Sequence, residues 1–306
     1  MCRIVPAMPQ HPSIYLIISA MSMYSTRRYV YIANMTILDG GVGLRVLACT
    51  YQCFERWRYA NLSAPYWRVY WNATPGWHIM LNGRATALTP DRLVIIPPET
   101  PFSARSRQPS FHLFIHFVAD APYDSAAPAV CSMQLGSDLR TLVEELASRA
   151  AQGDAADGRG SVLVRLVCYQ ALSRAPFDGL SPIARDGRVR RALTMMSTQL
   201  GRPLPNGELA RACGMSTNAF IRLFSAETGQ SPQAWYVRRR VDYACELLHH
   251  SRLSIEQIAE TAGFHDRAHF SKVFKKLRGI APAAFRRTGR PVPHGAAQTG
   301  AGALPM

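Results

Sequence analysis

Three histidines stand in a strand-rich stretch of the chain: His78, His112 and His116. Imidazole is a ready metal ligand, but a metal-dependent enzyme needs several such donors converging on one ion. A strand would hold His112 and His116, four residues apart, on one face. The three are read as structural histidines, with no metal site and no cofactor expected. No Ser/His/Asp or Cys/His set is apparent, and the glycine-rich stretches read as loops, so no catalytic residue is assigned and the chain is not expected to be an enzyme. The seven cysteines, Cys2, Cys49, Cys53, Cys131, Cys168, Cys213 and Cys245, form no Cys-x-x-Cys pair. They read as scattered reduced thiols of a cytosolic protein, against a disulfide framework or a zinc cluster.

A second chemistry is electrostatic. The 306 residues carry a formal charge of +15, a balance that favours a polyanionic partner. Between Asp186 and Arg290 stand 18 Lys+Arg against 8 Asp+Glu, which places about +10 of that charge in one third of the chain. The cations sit in a device that occurs twice. In "SIEQIAETAGFHDRAHFSKVFKKLRG", Ser254 and Gln257 have capping-box spacing. Ile255, Ile258, Ala259 and Ala262 follow at helical spacing, and Gly263 ends the helix. A second helix places Phe270, Val273, Phe274 and Leu277 on one face and Arg267, Ser271, Lys272 and Lys275 elsewhere. In "NGELARACGMSTNAFIRLFSAETG", Leu209, Ala210 and Gly214 lie 49 residues before Ile258, Ala259 and Gly263, while Phe220, Arg222, Phe224, Gly229 and Pro232 lie 50 residues before Phe270, Lys272, Phe274, Gly279 and Pro282. The one-residue difference falls in the turn. Two helices, a glycine turn and a cation at the same point of each copy follow helix-turn-helix logic. The stripe Ala234, Val237, Val241, Ala244 and Leu248 predicts a joining helix that would space two recognition helices for successive major grooves on one DNA face.

At these residues, from about Arg188 to Arg287, the chain resembles the AraC/XylS family of bacterial transcription regulators. The resemblance rests on "IEQIAETAGF", on "FSKVFKKLRGIAPAAFRR" and on the looser first copy. It implies a seven-helix DNA-binding domain in which side chains early in each third helix contact bases. Those positions are Asn218, Ile221 and Arg222 in the first unit and Arg267, Ala268, Ser271 and Lys272 in the second. Two residues depart from the pattern: His265 stands where a small capping residue is usual, and Phe285 where tyrosine is common. Promoter DNA, a small-molecule effector and RNA polymerase are the partners the resemblance implies. It leaves activation or repression open.

The elements ahead of this device read as short strands: "LRVLACT", "YWRVYW", "HIML", "RLVIIPP" and "FHLFIHFV". Asn82-Gly83 predicts a hairpin turn, because both residues tolerate positive φ. Many short antiparallel strands suggest a small barrel or sandwich. Leu139, Leu142, Val143 and Leu146 predict a helix, and "SVLVRLVCYQAL" a second one, apolar on most sides; together they are expected to carry a homodimer interface. Tyr66, Trp67, Tyr70, Trp71 and Trp77 are dense aromatics, read either as barrel core or as a pocket whose rings stack on a ligand such as a sugar. Trp67, Arg68, Trp71, Trp77 and His78 are the candidate ligand-binding residues. The segment from Trp67 to Phe102 resembles the cupin-type effector and dimerisation domain of many such regulators, although Phe102 and Asp91 replace a His and a Gly usual in cupins.

The expectation is therefore an α+β chain in four parts. Residues 1–36 form an extension, either disordered or ahead of a true start at Met21, Met23 or Met35. Residues 37–180 form a cupin-like antiparallel β-barrel with a helical dimerisation segment. Residues 186–288 form an all-α domain with two helix-turn-helix units, and 289–306 a disordered tail. No window of about 18 apolar residues exists, so no membrane partner is expected and the location is read as cytoplasmic. The function expected is that of a ligand-responsive, sequence-specific regulator. A ligand-independent regulator and a metal-dependent cupin enzyme fused to a DNA-binding domain are the alternatives. A DNA-repair methyltransferase would need a zinc-bound cysteine cluster and a Pro-Cys-His context, and neither is present.

Overall fold

Short β-branched and aromatic runs in the first half of the chain and helical periodicity in the second produce two kinds of layer. The computed structural model describes residues 42–288 other than 56, 57, 107, 125, 179, 181–183 and 185. The expected extension at 1–36 and the tail at 289–306 lie outside the described residues, as do five positions of the stretch between 173 and 187 expected to link the domains.

Nine strands are described: β1 (Leu44–Phe54), β2 (Arg58–Leu62), β3 (Trp67–Asn72), β4 (Trp77–Leu81), β5 (Arg84–Leu88), β6 (Arg92–Ile96), β7 (Phe102–Ser106), β8 (Ser110–Ala119) and β9 (Cys131–Gln134). They form two antiparallel sheets, ordered β1-β8-β3-β6-β9 and β2-β7-β4-β5. The first eight strands have the connectivity of a two-sheet jelly roll. The sheets do not close into the expected barrel. Where the chain crosses from β6 to β7, Pro97 and Pro98 end the ladder and Glu99 takes a left-handed φ of 58°, so the two ladders stay separate and are joined through side chains. The Asn82-Gly83 turn forms as expected, with φ of 49° and 78° and Leu81 paired to Arg84.

The core between the sheets takes Phe54, Tyr70, Ile96 and Phe114 from one and Trp77, Ile79, Phe102 and Ala104 from the other. Strand β3 is central and buried throughout. Strand alternation turns Arg68, Tyr70 and Asn72 toward the other sheet and Trp67, Val69 and Trp71 away from it. Two helices, α1 (Ser137–Gln152) and α2 (Gly158–Arg174), pack against β1, and α2 also against β6. Helix α1 buries Leu139, Val143 and Leu146. Helix α2 buries Leu163, Val164, Val167, Cys168, Ala171 and Leu172, yet leaves Val162, Leu166 and Tyr169 exposed by 57%, 42% and 40%.

Seven further helices follow: α3 (Gly187–Thr198), α4 (Asn206–Ala212), α5 (Thr217–Thr228), α6 (Pro232–His250), α7 (Ile255–Thr261), α8 (Arg267–Arg278) and α9 (Pro282–Thr288). They build two cores. In the first, Leu209, Ala210, Phe220 and Phe224 pack with Val189, Met196 and Tyr236. In the second, the equivalent Ile258, Ala259, Phe270 and Phe274 pack with Val241, Leu248 and Phe285, and also with Ala64 and Tyr66 from the segment leading into β3. Burying each large side chain is worth about 1.5–3 kcal/mol. The Ser254–Gln257 capping box closes in both directions, at 2.8 and 3.1 Å. Two local expectations are corrected. The cap of α8 is Asp266, which accepts from the His269 amide at 2.7 Å; His265 beside it is exposed, because the longer second turn puts one more residue ahead of the cap. Leu277 is 42% exposed, since Phe270 and Phe274 already fill the face it was expected to share.

Candidate functional site

The two glycine turns aim α5 and α8. Gly214 and Gly263 both adopt left-handed φ, 67° and 75°, and both recognition-type helices end on left-handed glycines, Gly229 and Gly279. With the two aromatic residues of each helix buried, the opposite face is left to solvent. Asn218 and Arg222 are exposed on α5, and Arg267, Ala268 and Lys272 on α8; Ser271 is half-buried. Ile221 packs against the first core, so only part of it faces outward. Among the described residues Arg222, Arg267 and Lys272 have no ion-pair partner, whereas Arg278 is tied to Asp242 and Glu99, and Arg202 to Glu208. Cations with free N–H donors on a helix face can bond phosphate oxygens or guanine O6 and N7. Helix α6 joins the units with 19 residues, about 28 Å of helix, close to one turn of DNA.

The candidate effector residues are divided by strand alternation. Trp67 and Trp71 turn away from the inter-sheet core. Their indoles donate to the carbonyls of Tyr123 at 2.8 Å and Pro90 at 3.0 Å. Trp77 lies in the inter-sheet core, donates to the Gln108 carbonyl at 2.9 Å and stacks on His112 with centroids 5.1 Å apart. His78, next along β4, is half-buried on the other face. Arg68 is 1% exposed and points inward, its guanidinium carbon 4.9 Å from the Tyr66 ring centroid and 5.2 Å from that of Phe102. Of the five, then, only Arg68 and Trp77 face the space between the sheets.

His112 and His116 share the inner face of β8. The Nδ1 of His112 is hydrogen-bonded to Asn72 Oδ1 at 2.8 Å, and burial lowers its pKa to about 3. Among the described residues no three His, Cys, Asp or Glu side chains come together as a metal-holding group. His116 instead packs against Tyr66 at 4.9 Å and His250 at 5.1 Å. Burial, then His250 and Arg68, hold it well below the usual imidazole range. Tyr66 completes the cluster through its hydroxyl, 2.7 Å from His249 Nδ1. Burial pushes the pKa of Tyr66 up to about 12 and those of His249 and His250 down to about 3 and 4. Sequence reasoning assigned no role to His249-His250, because Tyr66 and His249 stand 183 residues apart and share no local pattern.

Residues 209–288 match the model of a helix-turn-helix domain family. The chain carries an AraC-type helix-turn-helix domain. Over 79 residues it is 33% identical to the MmsAB operon regulatory protein of Pseudomonas aeruginosa, covering 26% of each chain. Over 95 residues it is 39% identical to the HTH-type transcriptional regulator GlxA of Rhizobium meliloti, covering 31% of this chain and 29% of that one. A solved transcriptional regulator from Chromobacterium violaceum, described as an AraC-type DNA-binding domain-containing protein, aligns at 29% identity and a TM-score of 0.32, covering 33% of this chain and 89% of that one. The chain thus spans 26% and 29% of the length of the two curated relatives.

Proposed function

We propose that the chain is a sequence-specific DNA-binding transcription regulator whose sheet region is a cupin-like effector and dimerisation domain. The observation that carries the reading is the pair of equivalent exposed cations, Arg222 and Lys272, on two helices built by the same motif 50 residues apart. Neither is engaged by a described acid, which leaves both available to DNA. Residues 186–288 are proposed as the DNA-binding domain, with Asn218, Ile221, Arg267, Ala268 and Ser271 as the neighbouring base-facing positions. The jelly-roll connectivity supports a cupin-like domain over residues 37–180, and the buried polar cluster around Arg68 supports a bound effector. The exposed stripe Val162, Leu166 and Tyr169 recurs at helical spacing on α2 and supports a homodimer formed through that helix. No described helix is long and apolar enough to cross a membrane, in keeping with a cytoplasmic regulator.

The test uses the full chain and a random-sequence duplex pool. Selection should enrich one motif with two half-sites about one helical turn apart, and affinity should fall steeply with salt. Failure to shift any duplex at low salt, with the protein folded, would remove the proposal.

A further inference from the structure

Arg68 stands out among the buried arginines. Its Nη1 and Nη2 make no hydrogen bond of ordinary geometry, although the guanidinium lies close enough to the Tyr66 hydroxyl to favour its ionised form, and no described carboxylate lies within ion-pair reach of it. Elsewhere the fold supplies acceptors: Arg278 is held by Asp242 and Glu99, and Arg240 donates Nε to the Ala262 carbonyl at 2.5 Å, leaving one terminal nitrogen, Nη2, unpartnered where Arg68 leaves both. A guanidinium cannot shed its proton, and a buried unpaired charge is costly enough that native proteins nearly always supply a partner. Two more polar atoms beside Arg68 are unpartnered, His116 Nδ1 and His250 Nε2; the rings of His116, His250 and Tyr66 lie 4.9–5.1 Å from one another. Burial keeps both histidines neutral, so the cluster carries a single positive charge and several free hydrogen-bonding atoms.

We propose that Arg68, with His116 and His250, forms a binding site for the carboxylate of a small monoanionic organic ligand where the sheets meet α6. The forked Nη1 and Nη2 donors match the two oxygens of a carboxylate. One negative charge balances the site, whereas a dianion would leave an excess buried charge. The imidazoles can serve a hydroxyl or the second lone pair of a carboxylate oxygen. The position also provides a route to DNA. Tyr66 contacts His249, whose Nε2 lies 3.0 Å from the Phe285 carbonyl and whose ring stacks on Phe285 at 4.3 Å; Phe285 in turn packs on Phe274 of α8 at 5.4 Å. A ligand that favours one packing of this chain of contacts would bias the orientation of α8 through its differential affinity for the two states.

This inference rests on the reading of the chain as an effector-responsive regulator. Its test uses the full chain and the Arg68→Met variant, which removes the charge at similar volume. Both are melted without carboxylates, then with acetate, lactate, phenylacetate or octanoate and, separately, with the corresponding amides and glucose. At least one acid should raise the wild-type melting temperature saturably while its amide and glucose do not, and Arg68→Met should bind that acid at least tenfold more weakly. Without carboxylate the variant should be as stable as wild type or more so. The same acid should change wild-type affinity for a selected duplex several-fold and leave the variant's unchanged. No response to any acid, equal response of acid and amide, or a variant markedly less stable than wild type in carboxylate-free buffer would overturn the site. If both proteins still bind the duplex in that case, only the site falls; if neither binds any duplex, the regulator reading falls with it.

Discussion

The two glycine turns offer an internal comparison. Gly214 and Gly263 occupy equivalent positions and both take left-handed φ, so alanine at either should lose about 1–2 kcal/mol from the backbone alone. Their surroundings differ. A Cβ on Gly214 would meet nothing within 4 Å. On Gly263 it would lie 2.7 Å from the Leu200 carbonyl oxygen, 2.7 Å from Arg240 Nη2 and 2.9 Å from the Gly201 carbonyl carbon. The arginine tip can swing away; the two backbone atoms cannot without moving the segment after α3. Overpacking of that kind costs a further 1–3 kcal/mol or so. The expectation is about 1–2 kcal/mol lost in Gly214→Ala and about 2–5 kcal/mol in Gly263→Ala. Urea unfolding of the full-length variants, with unchanged m, reads the difference as unequal shifts in midpoint. Losses within about half a kcal/mol of each other would show that the crowding at Gly263 relaxes freely and would refute the reasoning.

Other consequences can be measured independently. Arg222→Ala should weaken binding to a selected duplex by about 1–3 kcal/mol and relax sequence preference at one position of the half-site; a loss uniform across sequences would make Arg222 a phosphate contact only. Leu166→Asp should convert a micromolar dimer to monomer in sedimentation, and a dimer that survives places the interface away from α2. Stability should fall on acidification from about pH 6.5. His112, His249 and His250 are held neutral in the fold, with values near 3, 3 and 4. The unfolded chain therefore binds the extra protons first, and each histidine contributes up to about 1.4 kcal/mol per pH unit in that window and nothing above it. Stability that stays flat from pH 7 to 5 would contradict their burial as neutral groups.

What the sequence showed, and what it hid, follows from the range of the interactions. The duplicated helices were legible because their signals are local: a capping box, buried phenylalanines four residues apart and glycines at fixed offsets. The Asn82-Gly83 hairpin was legible for the same reason. Strands β2, β7 and β9 were not foreseen, since "RYANL", "FSARS" and "CSMQ" carry no apolar alternation and owe their pairing to neighbours in the sheet. The closed barrel was an error of the same origin, because strand content does not say whether two sheets join edge to edge. The aromatic run at Trp67–Trp71 suggested one pocket, but alternate residues of a strand face opposite ways. The cluster that gathers at Arg68 draws on β3, β8 and α6, a meeting that only the tertiary fold produces.

The unequal makeup of the two helical cores has a bearing on modularity. Among the described residues the first core draws only on residues between 184 and 236, while the second borrows Ala64 and Tyr66 from the sheet region. Helices α5 and α8 therefore rest on different cores, joined through α6. Amide exchange in α8 should slow and quicken together with that in β3, and α5 should keep its own schedule. Cutting away the sheets would not release a symmetric pair of helix-turn-helix units. It would leave one self-contained and the other missing part of its floor, so in the proposed regulator one of the two DNA-facing helices would stand on a core that the sheet region helps to build.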